Sequence, residues 1–351
     1  MASQTRRVLR FVAPRTVSVE TEPRREPGPG EVLVETALTA VSPGTEKLVY
    51  RGEAPSTLAA DPEIAALEEG LDFPLTYGYA AVGEVVHLGA DVPERWRHRR
   101  VFSFQPHVSH FVASPDALLP IPGDTSDIDA VLTPNVETAV NFCMDGRPMI
   151  GERVVIFGQG TVGLLTTSVL SRHPVGALYT VEPDPDRRAR SEARGADRAF
   201  APADDSALAE ALDLRHADAS PASEAGYEGA DLIFELSGQP DVLNQALAVA
   251  GYDARIVLGS WYGTRRAPID LGGRFHRSRV SIVSSQVSTV RPAYEGRWTK
   301  DRRMDIVLDI LPTLSPGALA TEPAPLEEAG RVYEQLDREE GGTLQPVFRY
   351  D

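Results

Sequence analysis

Residues 153–163 read Arg-Val-Val-Ile-Phe-Gly-Gln-Gly-Thr-Val-Gly, which predicts a strand that runs into a glycine turn and then a helix. The apolar run Val154 to Phe157 has the length of a buried strand, and Leu164 to Leu170 continues as an apolar helix. A second apolar run, Ala177 to Val181, ends in Glu182, about twenty residues beyond the turn. The order of strand, glycine turn, helix, strand and acid is the fingerprint of a dinucleotide-binding fold.

Each residue of the turn has a physical reason to be there. Gly158 permits the tight turn, Gly160 has no Cβ to keep a pyrophosphate from the backbone, and Gly163 lets the helix pack close to the sheet. Thr161 and Val162 begin the helix, whose N-terminus offers free N–H groups and a positive dipole end to phosphates. We therefore expect these five residues to bind the cofactor.

The acid at the end of the second strand favours NAD. The Glu182 carboxylate accepts hydrogen bonds from ribose hydroxyls and repels a 2′-phosphate. Arg187 and Arg188 follow closely; they either grip a phosphate or form a solvated helix start. NADP therefore stays open as the cofactor.

Length and composition narrow the class of protein. A chain of 351 residues with 42% hydrophobic residues suits two domains, each with its own core. No apolar run is long enough to span a bilayer, and Met1–Arg10 contains no secretory h-region, so we expect a cytoplasmic protein. The formal net charge of −16 repels nucleic acid and anionic membranes, so neither is an expected partner.

The elements form two groups along the chain, which predicts an α/β protein. Short strands fill the first third, residues 55–72 form an Ala/Glu-rich insert, and Tyr79–Leu88 returns to strand. From Asp127 the period becomes helical over Ile128–Met144, and strands then alternate with helices as in a doubly wound parallel sheet. A terminal strand needs a sheet to join, and the β-rich N-terminal part is the expected host. The predicted domains are therefore residues 1–124 with 290–351, and residues 125–289.

Several short motifs together resemble the medium-chain dehydrogenase/reductase superfamily over nearly the whole chain. They are Gly83-Glu-Val85, Arg100-Val-Phe102, Glu137-Thr-Ala139, the glycine turn, and Phe234-Glu-Leu-Ser-Gly238. The resemblance implies a GroES-like, β-rich partial barrel joined to a Rossmann domain. It also implies an active site in the cleft between the domains and assembly as a homodimer or homotetramer.

The zinc ligands of the alcohol dehydrogenases in this superfamily are replaced at three places. Pro43 stands where the cysteine ligand is expected, and Gly78-Tyr79-Ala80 replaces the step that carries the histidine ligand. Asn135 stands at the third position, and an amide is a poor zinc ligand. The chain has one cysteine, which excludes the lobe with four structural cysteines as well. We therefore expect no zinc.

One branch of the superfamily resembles the N-terminal domain most. The turn Ser42-Pro-Gly-Thr-Glu-Lys-Leu-Val-Tyr-Arg-Gly52, followed by Gly78-Tyr79, is similar to the bacteriochlorophyllide dehydrogenases, which also carry tyrosine at the histidine position. The match does not extend well beyond this domain, so no tetrapyrrole substrate is assigned from it.

Without zinc, side chains must handle the alcohol proton. Thr45 matches the family position whose hydroxyl relays this proton, although a turn threonine that caps a helix is the other interpretation. Tyr79 either donates a hydrogen bond to a carbonyl or fills the metal cavity. Glu46 matches a family acid with a structural role. The resemblance places Ser42, Asn135 and Trp261 at the substrate cleft.

The resemblance also assigns residues to the cofactor beyond the turn. They are Ser237, Gly238, Ser260 and Ser285. The leading hypothesis is a zinc-independent NAD(H)-dependent oxidoreductase that interconverts a small-molecule secondary alcohol and a carbonyl by hydride transfer. Two alternatives stay open: a nucleotide-binding protein of the same fold without catalysis, and an NADPH-dependent enoyl or quinone reductase.

Overall fold

The computed structural model describes residues 4–55, 70–214, 228–338 and 344–350. The chain forms two compact units: unit 1 comprises residues 1–134 and 305–351, and unit 2 comprises residues 135–304. Most of the predicted insert at 55–72 lies outside the described residues, as does the second half of the polar segment at 201–228.

Both units are built from short strands and helices, numbered here in chain order. The strands of unit 1 are β1 (Thr5–Ala13), β2 (Thr16–Pro23), β3 (Val32–Ala40), β4 (Leu75–Thr76), β5 (Ala81–Leu88), β6 (Arg100–Ser103), β7 (His110–Ala113), β8 (Leu119–Pro120), β15 (Ala324–Pro325) and β16 (Val347–Arg349). The strands of unit 2 are β9 (Arg153–Phe157), β10 (Ala177–Val181), β11 (Arg198–Phe200), β12 (Ala230–Glu235), β13 (Ala250–Leu258) and β14 (Ser281–Ser284). The helices are α1 (Thr45–Arg51), α2 (Asp127–Ala130), α3 (Thr133–Gly146), α4 (Thr161–Leu170), α5 (Pro185–Ala193), α6 (Asp205–Ala211), α7 (Val242–Val249), α8 (Arg274–Arg277), α9 (Lys300–Leu314) and α10 (Ala329–Arg338).

Unit 1 is β-rich, with mainly antiparallel pairing. One sheet has the order β2-β1-β4, and the other has the order β15-β16-β3-β5-β6-β8 with β7 also paired to β3. The terminal strand β16 pairs antiparallel with β3, which confirms the host predicted for it. Alternating apolar residues of β1 and β3 point into the core, where Phe11 packs edge-on against Tyr333 of α10.

Unit 2 is a parallel sheet with the strand order β11-β10-β9-β12-β13-β14. Counted from β9, this is the 3-2-1-4-5-6 order of doubly wound dinucleotide folds, as predicted. The strands are nearly continuous apolar runs because a parallel sheet is covered on both faces. Val154, Val155 and Ile156 of β9 are accordingly fully buried.

The structure differs from the sequence predictions at several boundaries. The helix predicted over 128–144 is two helices, α2 and α3, because the chain turns at 131–132 where Val131 and Leu132 enter the unit 1 core. Strand β5 begins at Ala81 rather than at Tyr79, since Gly78 adopts a positive φ of 109° just before it. The unit boundaries fall inside α3 and α9, ten or more residues beyond the predicted 124/125 and 289/290.

Candidate functional site

The glycine turn between β9 and α4 is sterically fixed at two of its three glycines. Gly158 has a φ of +91°, and a Cβ there would lie 2.6 Å from the Cα of Ser237. A Cβ on Gly163 would lie 2.1 Å from the carbonyl oxygen of Gly158, so only glycine allows α4 to approach the strand this closely. A Cβ on Gly160 would meet nothing within 4 Å. That open face is where a pyrophosphate needs room to reach the backbone.

Gln159, the residue between the first two glycines, stabilises the turn with hydrogen bonds from its side chain. Gln159 is fully buried; its Nε2 donates to the carbonyl of Gly158 at 3.0 Å, and its Oε1 accepts from the Thr167 hydroxyl at 3.0 Å. Helix α4 begins at Thr161 after Gly160, with no side chain capping its N-terminus. Val162 packs beside the core of the sheet. The positive end of the helix dipole at this N-terminus favours an anion.

Glu182 hydrogen-bonds to the backbone of the glycine turn, a contact that the sequence does not predict. Its carboxylate is buried and accepts the backbone N–H of Gln159 at 2.7 Å and that of Asp184 at 3.1 Å. A carboxylate offers about four acceptor positions, so two remain for ribose hydroxyls. Arg188 donates to the backbone carbonyls of Glu182 and Pro183 and stiffens this corner. Glu182 therefore fits both a structural role and the predicted role as ribose acceptor.

Arg187 occupies a different position from Arg188. It lies in the first turn of α5, and the Asp184 side chain caps its backbone N–H at 3.1 Å. A phosphate contact by Arg187 stays a prediction.

A second buried acid lies at the end of the neighbouring strand. Glu235 is fully buried and accepts from the Ser237 hydroxyl, from the Ser237 backbone N–H at 2.8 Å, and from the Tyr262 hydroxyl at 2.5 Å. Burial and the neighbouring Glu235 raise the pKa of Tyr262, so its phenol stays protonated. The Ser260 hydroxyl accepts the backbone N–H of Gly238 at 2.9 Å. Ser237, Gly238 and Ser260, predicted for the cofactor, thus form one hydrogen-bonded cluster.

Sequence reasoning missed Glu235 and Tyr262. The signal for Glu235 was an acid that ends an otherwise apolar strand, whereas nothing in the sequence singles out Tyr262.

Ser285, predicted to meet the cofactor, is engaged by helix α3. Its hydroxyl donates to Asp145 Oδ2 at 2.6 Å and accepts from Asn141 Nδ2 at 3.0 Å. On the same helix face, the fully buried Arg303 forms an ion pair with Glu137 at 2.7 Å and donates to Asn141 Oδ1 at 2.6 Å. Burial raises the pKa of Glu137, and Arg303 opposes that rise. The hydroxyl proton of Ser285 is therefore committed within the unit, and a cofactor contact by this side chain stays a prediction.

Two further predicted residues lie in unit 2 with contrasting exposure. Asn135 is buried near the start of α3, whereas Trp261 follows β13 and is 36% exposed. Their proposed role at the substrate is not tested by these positions.

In unit 1, the side chains of Ser42 and Tyr79 lie side by side. The Tyr79 hydroxyl donates to Ser42 Oγ at 2.5 Å, and both side chains are partly exposed. Thr45 is the first residue of α1, and its N-cap is Gly44 rather than Thr45 itself. The interpretation of Thr45 as a capping threonine is therefore wrong, because a residue inside the first turn does not accept the capping hydrogen bond.

A buried network lies directly behind this pair. Glu46 Oε1 accepts the backbone N–H of Ser42 at 2.7 Å, and Glu46 Oε2 accepts from the Tyr333 hydroxyl. His107 Nε2 lies 3.0 Å from the same Oε2, and His107 Nδ1 lies 2.7 Å from the Thr39 hydroxyl. Glu46 and His107 are fully buried, and burial with the nearby carboxylate raises the pKa of Tyr333. The acid predicted to be structural thus holds the backbone of Ser42 in place.

His107 also connects the network to the segment that carries Tyr79. Its ring packs on Gly78, where a Cβ would lie 2.8 Å from His107 Nε2, and its backbone N–H donates to the carbonyl of Tyr77. His107 therefore contacts Glu46, which holds Ser42, through its ring, and the Tyr77–Gly78 segment before Tyr79 through both its ring and its backbone.

The step Tyr79-Ala80, where the resemblance implies a histidine ligand, is packed against apolar side chains. Ala80 is buried in an apolar cluster, and Tyr79 packs against the core that contains Tyr333.

Cys143 is buried in α3, and burial raises the pKa of its thiol to about 12. Across residues 4–55, 70–214, 228–338 and 344–350, no three His, Cys, Asp or Glu side chains gather in a way that holds a metal ion. Among the same residues, no helix has the length and apolar character needed to cross a membrane.

The chain is similar to several curated dehydrogenases and to solved alcohol dehydrogenase structures. No family model matches the chain. D-guloside 3-dehydrogenase of Escherichia coli K12 is 24% identical over 85% of this chain and 86% of its own. 2-Desacetyl-2-hydroxyethyl bacteriochlorophyllide A dehydrogenase of Cereibacter sphaeroides is 27% identical over 49% of this chain and 45% of its own. A short-chain alcohol dehydrogenase of Escherichia coli CFT073, crystallised with NADH, superimposes with a TM-score of 0.77 at 17% identity over 99% of this chain and 100% of its own.

The two kinds of sheet and the glycine turn define an α/β protein with a GroES-like, β-rich unit and a Rossmann unit. The chain is similar to curated dehydrogenases and shares the fold of solved alcohol dehydrogenases, in agreement with the superfamily that its sequence motifs resemble.

Proposed function

We propose that this protein is a zinc-independent, NAD(H)-dependent oxidoreductase that interconverts a secondary alcohol and a carbonyl. The observation that carries the proposal is the Ser42–Tyr79 hydroxyl pair, 2.5 Å apart, beside the position where zinc enzymes of this superfamily have a ligand. An open glycine turn for a dinucleotide belongs to the same chain. The relatives that act on alcohols, such as the guloside dehydrogenase, support the reaction class.

The proton chemistry follows from which hydroxyl protons are available. Tyr79 donates its proton to Ser42 Oγ, so the proton of Ser42 itself is left for a carbonyl oxygen. When that oxygen gains charge, Ser42 passes its proton on and Tyr79, the more acidic hydroxyl, replaces it. Thr45 has no hydrogen bond from its hydroxyl within the described residues, and it serves as a second donor. Alcohol oxidation follows the same path in reverse.

The residues of unit 2 fit a dinucleotide, which when bound supplies the hydride acceptor or donor. Gly158, Gly160 and Gly163 shape the turn, and the first-turn N–H groups of α4 attract the phosphates. Glu182 keeps acceptor capacity for ribose hydroxyls and carries a negative charge that disfavours a 2′-phosphate. We therefore propose NAD rather than NADP.

Metal analysis and a substrate screen test the proposal together. Elemental analysis of the purified protein is expected to find less than stoichiometric zinc, and a chelator is expected to leave activity unchanged. One tightly bound zinc per chain, whose removal abolishes activity, would overturn zinc independence.

The substrate screen follows reduced nicotinamide absorbance with NAD and NADP. It includes sugar and glycoside alcohols, a hydroxyethyl tetrapyrrole, simple secondary alcohols and activated alkenes. Turnover of an alcohol with NAD supports the proposal, whereas turnover of alkenes with NADPH assigns the enoyl or quinone reductase alternative. Tight NAD binding without any turnover assigns the non-catalytic alternative.

The oligomeric state and the cellular location of the protein are further proposals. We propose a homodimer or homotetramer, which light scattering after size exclusion distinguishes from a monomer. Binding only of small molecules, with no nucleic acid or membrane partner, and a cytoplasmic location stay predictions from the charge and the N-terminal sequence.

A further inference from the structure

Unit 1 contains a small cavity whose lining is unusually basic for an acidic protein. Its volume is about 270 Å³, and it lies where the end of β2 approaches β1, β3 and β7. The polar and aromatic lining side chains are Arg6, Arg24, Arg25, Gln105, His110 and Phe111. No acidic residue lines it, although the whole chain carries a formal net charge of −16. The carboxylates that pair with the three arginines lie outside the lining, so the lining itself presents positive groups that favour an anion.

Arg24 is the most deeply placed of these groups. Its side chain is only 7% exposed, and one terminal nitrogen pairs with Glu26 at 2.7 Å. Its Nε is buried and has no hydrogen-bond acceptor within the described residues. A buried guanidinium N–H without an acceptor costs free energy, because it has given up its hydrogen bonds to water. The Glu26 carboxylate therefore satisfies only part of this guanidinium, whose charge lies at the cavity.

The guanidinium groups of Arg25 and Arg6 each have more N–H donors than their ion pairs use. Arg25 pairs with Glu31 at 2.5 Å and Arg6 pairs with Glu22 at 2.6 Å, yet each guanidinium has five N–H groups. Both acidic partners lie outside the cavity lining, so they steady the arginines without filling the space. The side chain of Arg25 is 64% exposed and marks the solvent side of the cavity.

His110 and Gln105 complete the polar lining. His110 Nδ1 lies 3.0 Å from the Ser109 hydroxyl, whereas Nε2 is 3.8 Å from Glu35, too far for a hydrogen bond. The Gln105 side chain makes no hydrogen bond among the described residues and contributes a neutral amide donor. The cavity therefore offers charged and neutral donors from three separate segments.

We propose that this cavity binds a phosphate group, free or as a small phosphate monoester, through Arg24, Arg25, Arg6 and His110. Phosphate presents several acceptor oxygens, which suits forked guanidinium donors that approach from more than one side. A cavity of about 270 Å³ lies just below the usual range for drug-sized ligands, so it accepts a small anion and excludes a dinucleotide. The site does not depend on the proposed dehydrogenase activity.

A titration with inorganic phosphate at constant ionic strength tests the proposal. Calorimetry gives the stoichiometry, and the His110 ring resonances in the full-length protein report the site. We expect one saturable phosphate per chain, with sulfate competing and chloride not. Arg24→Gln is expected to weaken phosphate binding about tenfold, since it removes a charge-assisted donor pair.

Two further variants keep the result interpretable. Arg10→Gln is the matched control. Arg10 lies on β1, as Arg6 does, and both pair with Glu22, but Arg10 does not line the cavity. It is expected to leave phosphate affinity within about twofold. Arg25→Gln removes an exposed donor of the cavity and is also expected to weaken phosphate binding. It serves as the test if Arg24→Gln fails to fold.

Three results would overturn the proposal. They are absence of saturable binding, equal weakening by Arg10→Gln and by the cavity variants, and displacement of the phosphate by NAD. The last result would assign the phosphate to the glycine turn instead.

Discussion

The glycine turn of unit 2 and the hydroxyl pair of unit 1 are built in opposite ways. The turn is contiguous in sequence, and backbone groups of residues 158–163 supply its binding surface. The hydroxyl pair depends on Glu46, which hydrogen-bonds Tyr333 from 287 positions away and His107 from 61 positions away. A local motif therefore forms the proposed cofactor site, whereas long-range packing forms the proposed proton-transfer site.

This contrast predicts different responses to substitution. A side-chain change on the open face of the turn, at Gly160, is expected to affect mainly cofactor affinity, because the backbone donors survive it. Changes in the buried network behind Ser42 and Tyr79 are expected to affect stability as well, because each polar group there has lost its water.

The largest effect is expected for Glu46→Gln. The amide group takes the place of one carboxylate oxygen, so it faces either the Ser42 N–H or the His107 and Tyr333 side chains, and neither orientation satisfies all three. We expect the free energy of unfolding of unit 1 to fall by about 3 kcal/mol. Chemical denaturation followed by near-ultraviolet circular dichroism measures it.

Glu20→Gln is the control for that experiment. Glu20 pairs with Arg10 at an exposed position, so its loss is expected to cost less than about 1 kcal/mol. Equal destabilisation by the two variants would show that the buried network has no special role.

The next largest effect is expected for Tyr79→Phe. Removing the hydroxyl leaves Ser42 without its proton donor, so kcat/KM is expected to fall about a hundredfold with little change in stability. Ser42→Ala and the double variant complete a cycle, in which the two losses are expected to be less than additive. Full activity of Tyr79→Phe would contradict the proposed proton path, and the cavity-filling interpretation of Tyr79 would then stand.

A smaller effect, and a sharper comparison, is expected from two alanines in the turn. Gly160→Ala adds a methyl group to open space, so Tm is expected to be unchanged while NAD affinity falls about tenfold. Gly163→Ala forces a methyl group against the carbonyl oxygen of Gly158 and is expected to lower Tm by about 5 °C. Thermal melts and cofactor fluorescence titrations measure both. If Gly160→Ala binds NAD normally, the pyrophosphate does not approach this glycine.

The smallest effect is expected for Glu182→Gln. The amide oxygen still accepts from Gln159, but the negative charge that repels a 2′-phosphate is lost. The preference for NAD over NADP is expected to shrink about fivefold, as measured by the ratio of the two dissociation constants. Asp186→Asn, an exposed change in the first turn of α5, is the charge-matched control and is expected to leave the ratio unchanged. An unaltered preference in Glu182→Gln would assign the carboxylate a structural role only.

Much of unit 2 was predictable because its signals are local. The bounds of β9, β10 and β12 agree with the apolar runs in the sequence, since a strand buried on both faces excludes polar residues throughout. The break between α2 and α3 was not predictable, because residues 131–132 keep a helical pattern and turn only to enter the unit 1 core. Similarly, Ser285 was assigned to the cofactor before its hydroxyl was known to serve Asp145.

The sequence by itself determined the dinucleotide turn, the alternation that builds the parallel sheet, and the absence of the usual zinc ligands at Pro43, Tyr79 and Asn135. Those features depend on residue type and short spacing alone. Only the tertiary structure decided that Glu46 would hold Ser42 through a network with His107 and Tyr333, and that Glu235 would pair with Tyr262. The physical reason is that a buried polar group must find partners wherever the packed chain brings them, and sequence distance does not limit that choice.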